Sequence, residues 1–206
     1  MSPLNLSKFL APNDPLLNRV SEAIDPKDIY STEIKLRIEE MLEVANGEQV
    51  EREKPLLVGL AAPQIGIMKR IILVDLKADG RGLAGDLQVM INPYILWHSD
   101  EEHEWYEGCF STSRVCGIVS RSVRIRVKYF DQEGVTHEEE YTGYTARIIQ
   151  HEIDHLNGQE FTSRITDDEK LHWVEKSEFF NYRNNGQWVN WPHKCTRARW
   201  NEIKGV

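Results

Sequence analysis

The chain has 206 residues, is 40% hydrophobic and 28% charged, and carries a formal net charge of −8 with a pI near 5.4. That length and balance suit one compact domain with a sizeable core, and the acidity excludes a protein that coats nucleic acid along its whole surface. The longest apolar runs, Leu56 to Ala62 and Ile71 to Val74, fall far short of the roughly 18–20 residues that span a bilayer, so neither DNA nor a membrane is an expected partner.

The N-terminal MSPLNLSKFLAPNDP lacks the cationic start and long apolar core of a secretory signal, and it is not arginine-rich like a transit peptide. Cys109, Cys116 and Cys195 are an odd set without CxxC spacing, which argues against a disulfide framework and for a reducing cytoplasm.

Ser31 to Ala45 places Ile34, Ile38, Met41, Leu42 and Ala45 on one stripe, which predicts an amphipathic helix terminated at Gly47. The stretch PLLVGLAAPQIG (55–66) is apolar but too rich in Gly and Pro for a regular helix; it reads as a short buried strand and a turn. Ile71 to Leu76 predicts a strand, Gly80, Gly82 and Gly85 a loop, and Val89 to Asn92 a second strand ended by Pro93. Val123, Ile125, Val127 and Tyr129 alternate with Arg124, Arg126 and Lys128, the pattern of a half-buried strand. Gln132-Glu133-Gly134 then turns the chain into a second alternating strand, Val135 to Tyr141, completing a hairpin. A helix follows from about Thr145 to near Gly158.

Taken together, the order predicts a single α+β domain over residues 1–165, mostly antiparallel strands around a central helix. Residues 166–206 form an extension that holds four of the six tryptophans (Trp173, Trp188, Trp191, Trp200) among Arg183, Lys194, Arg197, Arg199 and Lys204. It reads as an aromatic flap packed on the domain. Interleaved basic and aromatic residues also fit a docking tail for RNA or a protein partner.

The central helix carries His151-Glu152-Ile153-Asp154-His155, an HExxH motif. Positions four apart lie about 40° apart around a helix, so both imidazoles can reach one metal ion, with Glu152 beside it to take a proton from bound water. The plain alternative is a helix with two surface histidines and a solvated glutamate. A third ligand decides between them. The extended pattern HExxHxxGxxH fails, because Phe161 stands where its last histidine belongs. Glu175, twenty residues beyond His155, has the spacing of a downstream glutamate ligand but not the asparagine expected beside it. Cys109, in Glu107-Gly108-Cys109-Phe110-Ser111, offers a thiolate that suits Zn²⁺ or Fe²⁺; alone it would more often be an inert buried thiol.

Three segments in order resemble the peptide deformylases: Val58-Gly59-Leu60-Ala61-Ala62-Pro63-Gln64, Glu107 to Ser111, and Gln150 to Gly158. The resemblance covers roughly residues 10 to 165. It implies hydrolysis of the formyl group from the N-terminal formylmethionine of nascent polypeptides, with possible contact to the ribosome. It further implies Cys109, His151 and His155 as ligands of one divalent ion, Fe²⁺ before Zn²⁺, Ni²⁺ or Co²⁺. Metal-bound hydroxide would attack with Glu152 as general base, while the Gln64 side chain and the Phe110 backbone N–H hold the oxyanion. On the substrate side it implies Val58, Gly59, Glu107, Gly108, Trp105, Tyr144 and Ile148, with Glu107 also orienting a neighbouring group. A cytoplasmic location of bacterial type follows, or an organelle.

The chain departs from the family's pattern in four places. Leu57 stands for the usual Gly and Phe110 for Leu, while Ser113 and Cys116 replace a Pro and an Arg, leaving Arg114 to reach the same space. The remaining alternatives are an HExxH zinc endopeptidase that uses Glu175, and a catalytically idle homologue that binds peptides or ribosomes.

Overall fold

Two antiparallel sheets arise from the alternating segments, and the computed structural model describes them within residues 9–49 and 57–206, apart from the side chain of residue 185. The first eight residues of the N-terminal segment, and Pro55 and Leu56 at the head of the apolar stretch, lie outside the described residues. The larger sheet joins β1 (Gly59–Ala61), β2 (Ile71–Asp75), β3 (Leu87–His98), β6 (Arg124–Phe130) and β7 (Thr136–Thr142) in that order. The smaller joins β4 (Glu102–Gly108), β5 (Val115–Ser122) and β8 (Leu171–Trp173). With helices packed on these sheets, the class is α+β.

β6 and β7 pair as the predicted hairpin, from Arg124 opposite Thr142 to Phe130 opposite Thr136. In β6 the apolar set Ile125, Val127 and Tyr129 is buried and the cations between them face solvent, so the period of two sets the inward face.

Pro93 does not end its strand. β3 runs through it to His98, and the register against β6 slips by one residue between Ile91 and Tyr94. A bulge leaves one residue without a ladder partner, so a proline without an N–H costs nothing there. Asn92 holds the bulge at positive φ (52°), its side-chain amide donating to Ile24 O at 2.6 Å and accepting from Ile24 N at 2.9 Å. Likewise Gly47 does not stop the first helix. α1 spans Thr32–Gln49, and the Gln49 side chain donates to Leu57 O and to Asp75, both at 2.9 Å, drawing the final turn onto β2.

α2 (Gly143–Leu156) lies at the centre, beginning two residues before Thr145. Ala146, Ile148, Ile149, Ile153 and Leu156 pack on Ile72, Val74, Met90, Ile125 and Val127 of the larger sheet. Burying each of these large aliphatics contributes about 1.5–3 kcal/mol, which outweighs the helix's poor intrinsic propensity. Its end is a Schellman cap: Gly158 N donates to His155 O, Gln159 N donates to Asp154 O, and Gly158 takes φ 69°. Every residue from Ala146 to Leu156 is buried, so the polar ones, including both histidines, are inside as well.

The chain beyond residue 165 packs against β4 and β5. β8 pairs with β5, while α3 (Phe179–Arg183) buries Tyr182 against Tyr106 and α4 (Arg197–Lys204) buries Trp200. Three of its cations make well-defined contacts within the chain. Arg197 donates to Thr162 O and Ile165 O, Arg199 stacks 3.7 Å over Trp173, and Lys204 pairs with buried Glu160 at 2.9 Å. No described helix is long and apolar enough to cross a membrane.

His172, fully buried with its Nδ1 3.0 Å from the Tyr182 hydroxyl, has its pKa pushed down to about 4 by burial and by Lys194. A depressed histidine stabilises the fold fully above its unfolded pKa of about 6.5, and that stability drains away as pH falls through about 4. The denaturant midpoint should therefore fall between pH 7 and pH 4, and His172→Gln should fall less.

Candidate active site

α2 presents His151 and His155 one turn apart on a single face, with ring centroids 5.1 Å apart. Cys109 reaches them from the smaller sheet: β4 ends at Gly108, Cys109 is still extended, and a 3-10 turn follows over Phe110–Thr112. Cys109 Sγ lies 3.3 Å from His155 Nε2, and the ligand atoms of Cys109, His151 and His155 all fall within 4.8 Å of one another. Among the described residues this is the one such trio of potential metal donors. A thiol and two imidazoles around one point fit a borderline divalent ion. Burial and the neighbouring His151 hold the His155 pKa down to about 3, whereas Cys109 and Glu107 outweigh burial and raise His151 well above the ordinary histidine value, so binding an ion there releases a proton.

Glu175 is elsewhere. Its carboxylate pairs with Arg114 and accepts from Trp173 Nε1 at 2.8 Å, so the endopeptidase reading has no third ligand. Phe161, at the position of the absent histidine, stacks on the His151 ring at 5.9 Å.

Buried charges hold the trio in place. Glu107 accepts from Arg121 Nε and Nη2 at 2.6 and 2.8 Å and from Arg147 Nη1 at 2.7 Å, and lies 2.8 Å from His151 Nδ1. Burial alone would raise the Glu107 pKa, but Arg121 and His151 outweigh it and hold the carboxyl well below the usual range. With Nδ1 engaged by Glu107, His151 is left to coordinate through Nε2. Arg121 also bonds Asp154 at 2.8 Å, and Arg164 grips that carboxylate with two contacts of 2.6 Å. The helix bearing both histidines is thus tied to β4 through Arg147 and His151 and to β5 through Asp154.

Glu152 lies beside the trio with Oε2 buried and unpartnered, and burial pushes its pKa up to about 7. A carboxyl poised near neutrality can both accept and return a proton. Gln64 has its Oε1 fixed by Ala61 N at 2.7 Å, which aims Nε2 at Cys109 Sγ (3.1 Å) and Ser111 Oγ (3.4 Å). Phe110 opens a 3-10 turn, whose first N–H groups have no partner within the turn, and its ring stacks on Phe9 at 4.7 Å.

A cleft of about 560 Å³ opens over this centre, lined by Val58, Gly59, Glu107, Gly108, Tyr144 and Ile148 among others. Trp105 lies outside it: its ring packs on Trp188 at 5.5 Å, and the next residue, Tyr106, lines the cleft instead. A Cβ added at Gly59 would sit 2.3 Å from Glu152 Oε1 and 2.7 Å from Ile148 Cγ2. Gly59→Ala should therefore displace Glu152 and lower kcat/KM by roughly tenfold to a hundredfold, with a smaller loss of thermal stability.

A family model for polypeptide deformylase matches residues 6–171. The chain belongs to the polypeptide deformylase family. A peptide deformylase of Brachyspira hyodysenteriae is 35% identical over 181 residues, covering 87% of this chain and 90% of the relative. A Met-Ala-Ser-bound crystal structure of the class I type b peptide deformylase from Acinetobacter baumannii superposes with a TM-score of 0.69 at 31% identity, over 76% of this chain and 96% of that one. The peptide deformylase of Thermotoga maritima gives a TM-score of 0.65 at 34% identity, over 77% and 97%.

Several residues of this deformylase site are invisible to motif reading. Arg121, Arg147, Asp154 and Arg164 carry no signature of their own, and Ser111 looks like an ordinary turn residue. The one available signal was Arg147, four residues before His151 and so on the same helix face.

Proposed function

We propose that this enzyme hydrolyses the formyl group from the N-terminal formylmethionine of nascent polypeptides, with Cys109, His151 and His155 holding one divalent ion. Family membership supports Fe²⁺ as the native ion, with Zn²⁺, Ni²⁺ or Co²⁺ as substitutes. When bound, such an ion activates water and polarises the formyl oxygen.

The chain's own residues supply the rest. Glu152 takes the proton of the attacking water and returns it to the departing amine, for which a pKa near 7 is suited. Gln64 Nε2 and the Phe110 N–H donate to the oxygen that gains charge, each worth roughly 3–4 kcal/mol of transition-state stabilisation. β1 is the edge strand of the larger sheet, so Val58 and Gly59 can pair with the substrate backbone as an added strand would. Ile148, Tyr144 and Val58 then receive the methionine side chain, and Glu107 keeps the His151 ring oriented. A nascent-chain substrate puts the enzyme where translation begins with formylmethionine, in a bacterial cytoplasm or an organelle, within reach of the ribosome.

The observation that carries this reading is the convergence of the three donors with a buried Glu152 and the aimed Gln64 amide. Metal content of two variants tests the ligand set. Cys109→Ala should lose its ion, and Glu175→Ala should keep it. A cysteine variant that retains stoichiometric metal overturns the assignment.

A further inference from the structure

One wall of the cleft comes from the C-terminal extension, through Val174, Glu175, Lys176, Phe179 and Arg183. All lie beyond residue 171, where the match to the family model ends. This wall is firmly seated. Tyr182, fully buried, meets Tyr106 edge-on at 5.5 Å and Trp191 at 5.1 Å, and its hydroxyl reaches His172 at 3.0 Å. Trp191 Nε1 in turn donates to Trp173 O at 3.0 Å.

Arg183 follows Tyr182 directly, so the same packing fixes where its side chain starts. Among the described residues it has no ion pair, and its Nε is buried without a hydrogen-bond partner. The other arginines on the cleft are compensated: Arg114 by Glu175 and Arg147 by Glu107. Lys176 is exposed. Across the cleft, Arg183 Nη2 would lie 3.9 Å from a Cβ added at Gly82, and Tyr106 and Tyr144 line the same space. Its guanidinium lies 6.0 Å over the Phe180 ring and has no carboxylate partner, and a carboxylate can meet its two terminal nitrogens with two parallel bonds.

We propose that Arg183 is a specificity-determining residue of the deformylase, pairing with an acidic side chain of the substrate just after its formylmethionine. The extension thereby adds to the deformylase chemistry a reading of substrate charge. The inference rests on the deformylase reading, and the two are separable by experiment.

The test compares formyl-Met-Asp-Ser with formyl-Met-Lys-Ser, using formyl-Met-Ala-Ser as reference. The parent enzyme should favour the acidic peptide by about tenfold in kcat/KM, expressed mainly in KM and weakened by salt. Arg183→Gln should bring the ratio close to one, and Arg183→Lys should restore part of it. Calorimetric titration of the unformylated peptides Met-Asp-Ser and Met-Lys-Ser gives the same comparison without turnover. A parent enzyme that turns over formyl-Met-Ala-Ser yet shows no charge preference overturns the Arg183 proposal alone, as does a preference that survives in Arg183→Gln. Absence of formate from every peptide strikes the deformylase reading, and the titrations still decide on Arg183.

Discussion

Glu152→Ala is expected to release formate from formyl-Met-Ala-Ser with kcat/KM lowered by about 10²–10⁴-fold, while metal content and fold are retained. Removing a general base raises the barrier of the chemical step without touching the ligands. The structural reason for expecting an intact fold is that Oε2 of Glu152 is buried with no hydrogen-bond partner, so the substitution orphans no donor. The loss should fall on kcat, since the residue contributes to the transition state and not to holding the peptide. Steady-state kinetics with metal analysis on the same preparation separates this from a simple loss of the ion. A variant with parental kcat would remove Glu152 from the mechanism.

Glu107→Ala should do damage of a different kind. Its carboxylate compensates Arg121 and Arg147, both buried, and engages His151 Nδ1 at 2.8 Å. Deleting one partner of a buried charged group leaves the others uncompensated, which costs roughly 3–5 kcal/mol. It also frees the His151 ring to turn, and loss of such an orienting partner typically weakens metal binding by about 10–100-fold. Both effects are measurable, as a denaturant midpoint and as a metal dissociation constant. Glu107→Gln keeps the shape and one acceptor oxygen, so it should fold and show the metal defect with a smaller stability loss. Unchanged stability in both variants would contradict the picture of Glu107 as the charge hub beneath the metal centre.

The reach of the sequence differed between local and long-range features. HExxH stood out because helical spacing constrains residue types strongly, whereas Cys109 competed with Glu175 and Gln64 looked like a turn residue until the resemblance to the deformylases singled them out. The hairpin of β6 and β7 was legible from strict alternation. β4 and β5 escaped because Glu102 to Gly108 is polar on most positions and its partner strand buries Arg121, which blurs any period of two. Pro93 misled because a bulge accepts a proline that a regular ladder excludes. Gly47 misled because the final turn of α1 is held by a side-chain amide contact to β2, which no local propensity encodes. The charge network around Glu107 and Asp154 joins residues from three separate strands and loops to one helix, and only the fold brings them together.

Trp105 makes the same point at the scale of one residue. Trp105 and Tyr106 both touch Trp188, at 5.5 and 6.1 Å, yet only Tyr106 also lines the cleft. Those contacts come from the extension, which no motif in β4 announces.

The most direct measurement is release of formate by the purified, Fe²⁺-loaded protein from formyl-Met-Ala-Ser, followed beside Glu152→Ala under the same conditions. Stoichiometric formate with Met-Ala-Ser as co-product, and at most about a hundredth of that rate in the variant, is the predicted result. Parent and variant releasing formate at the same rate, or neither releasing it with metal bound, would contradict the account.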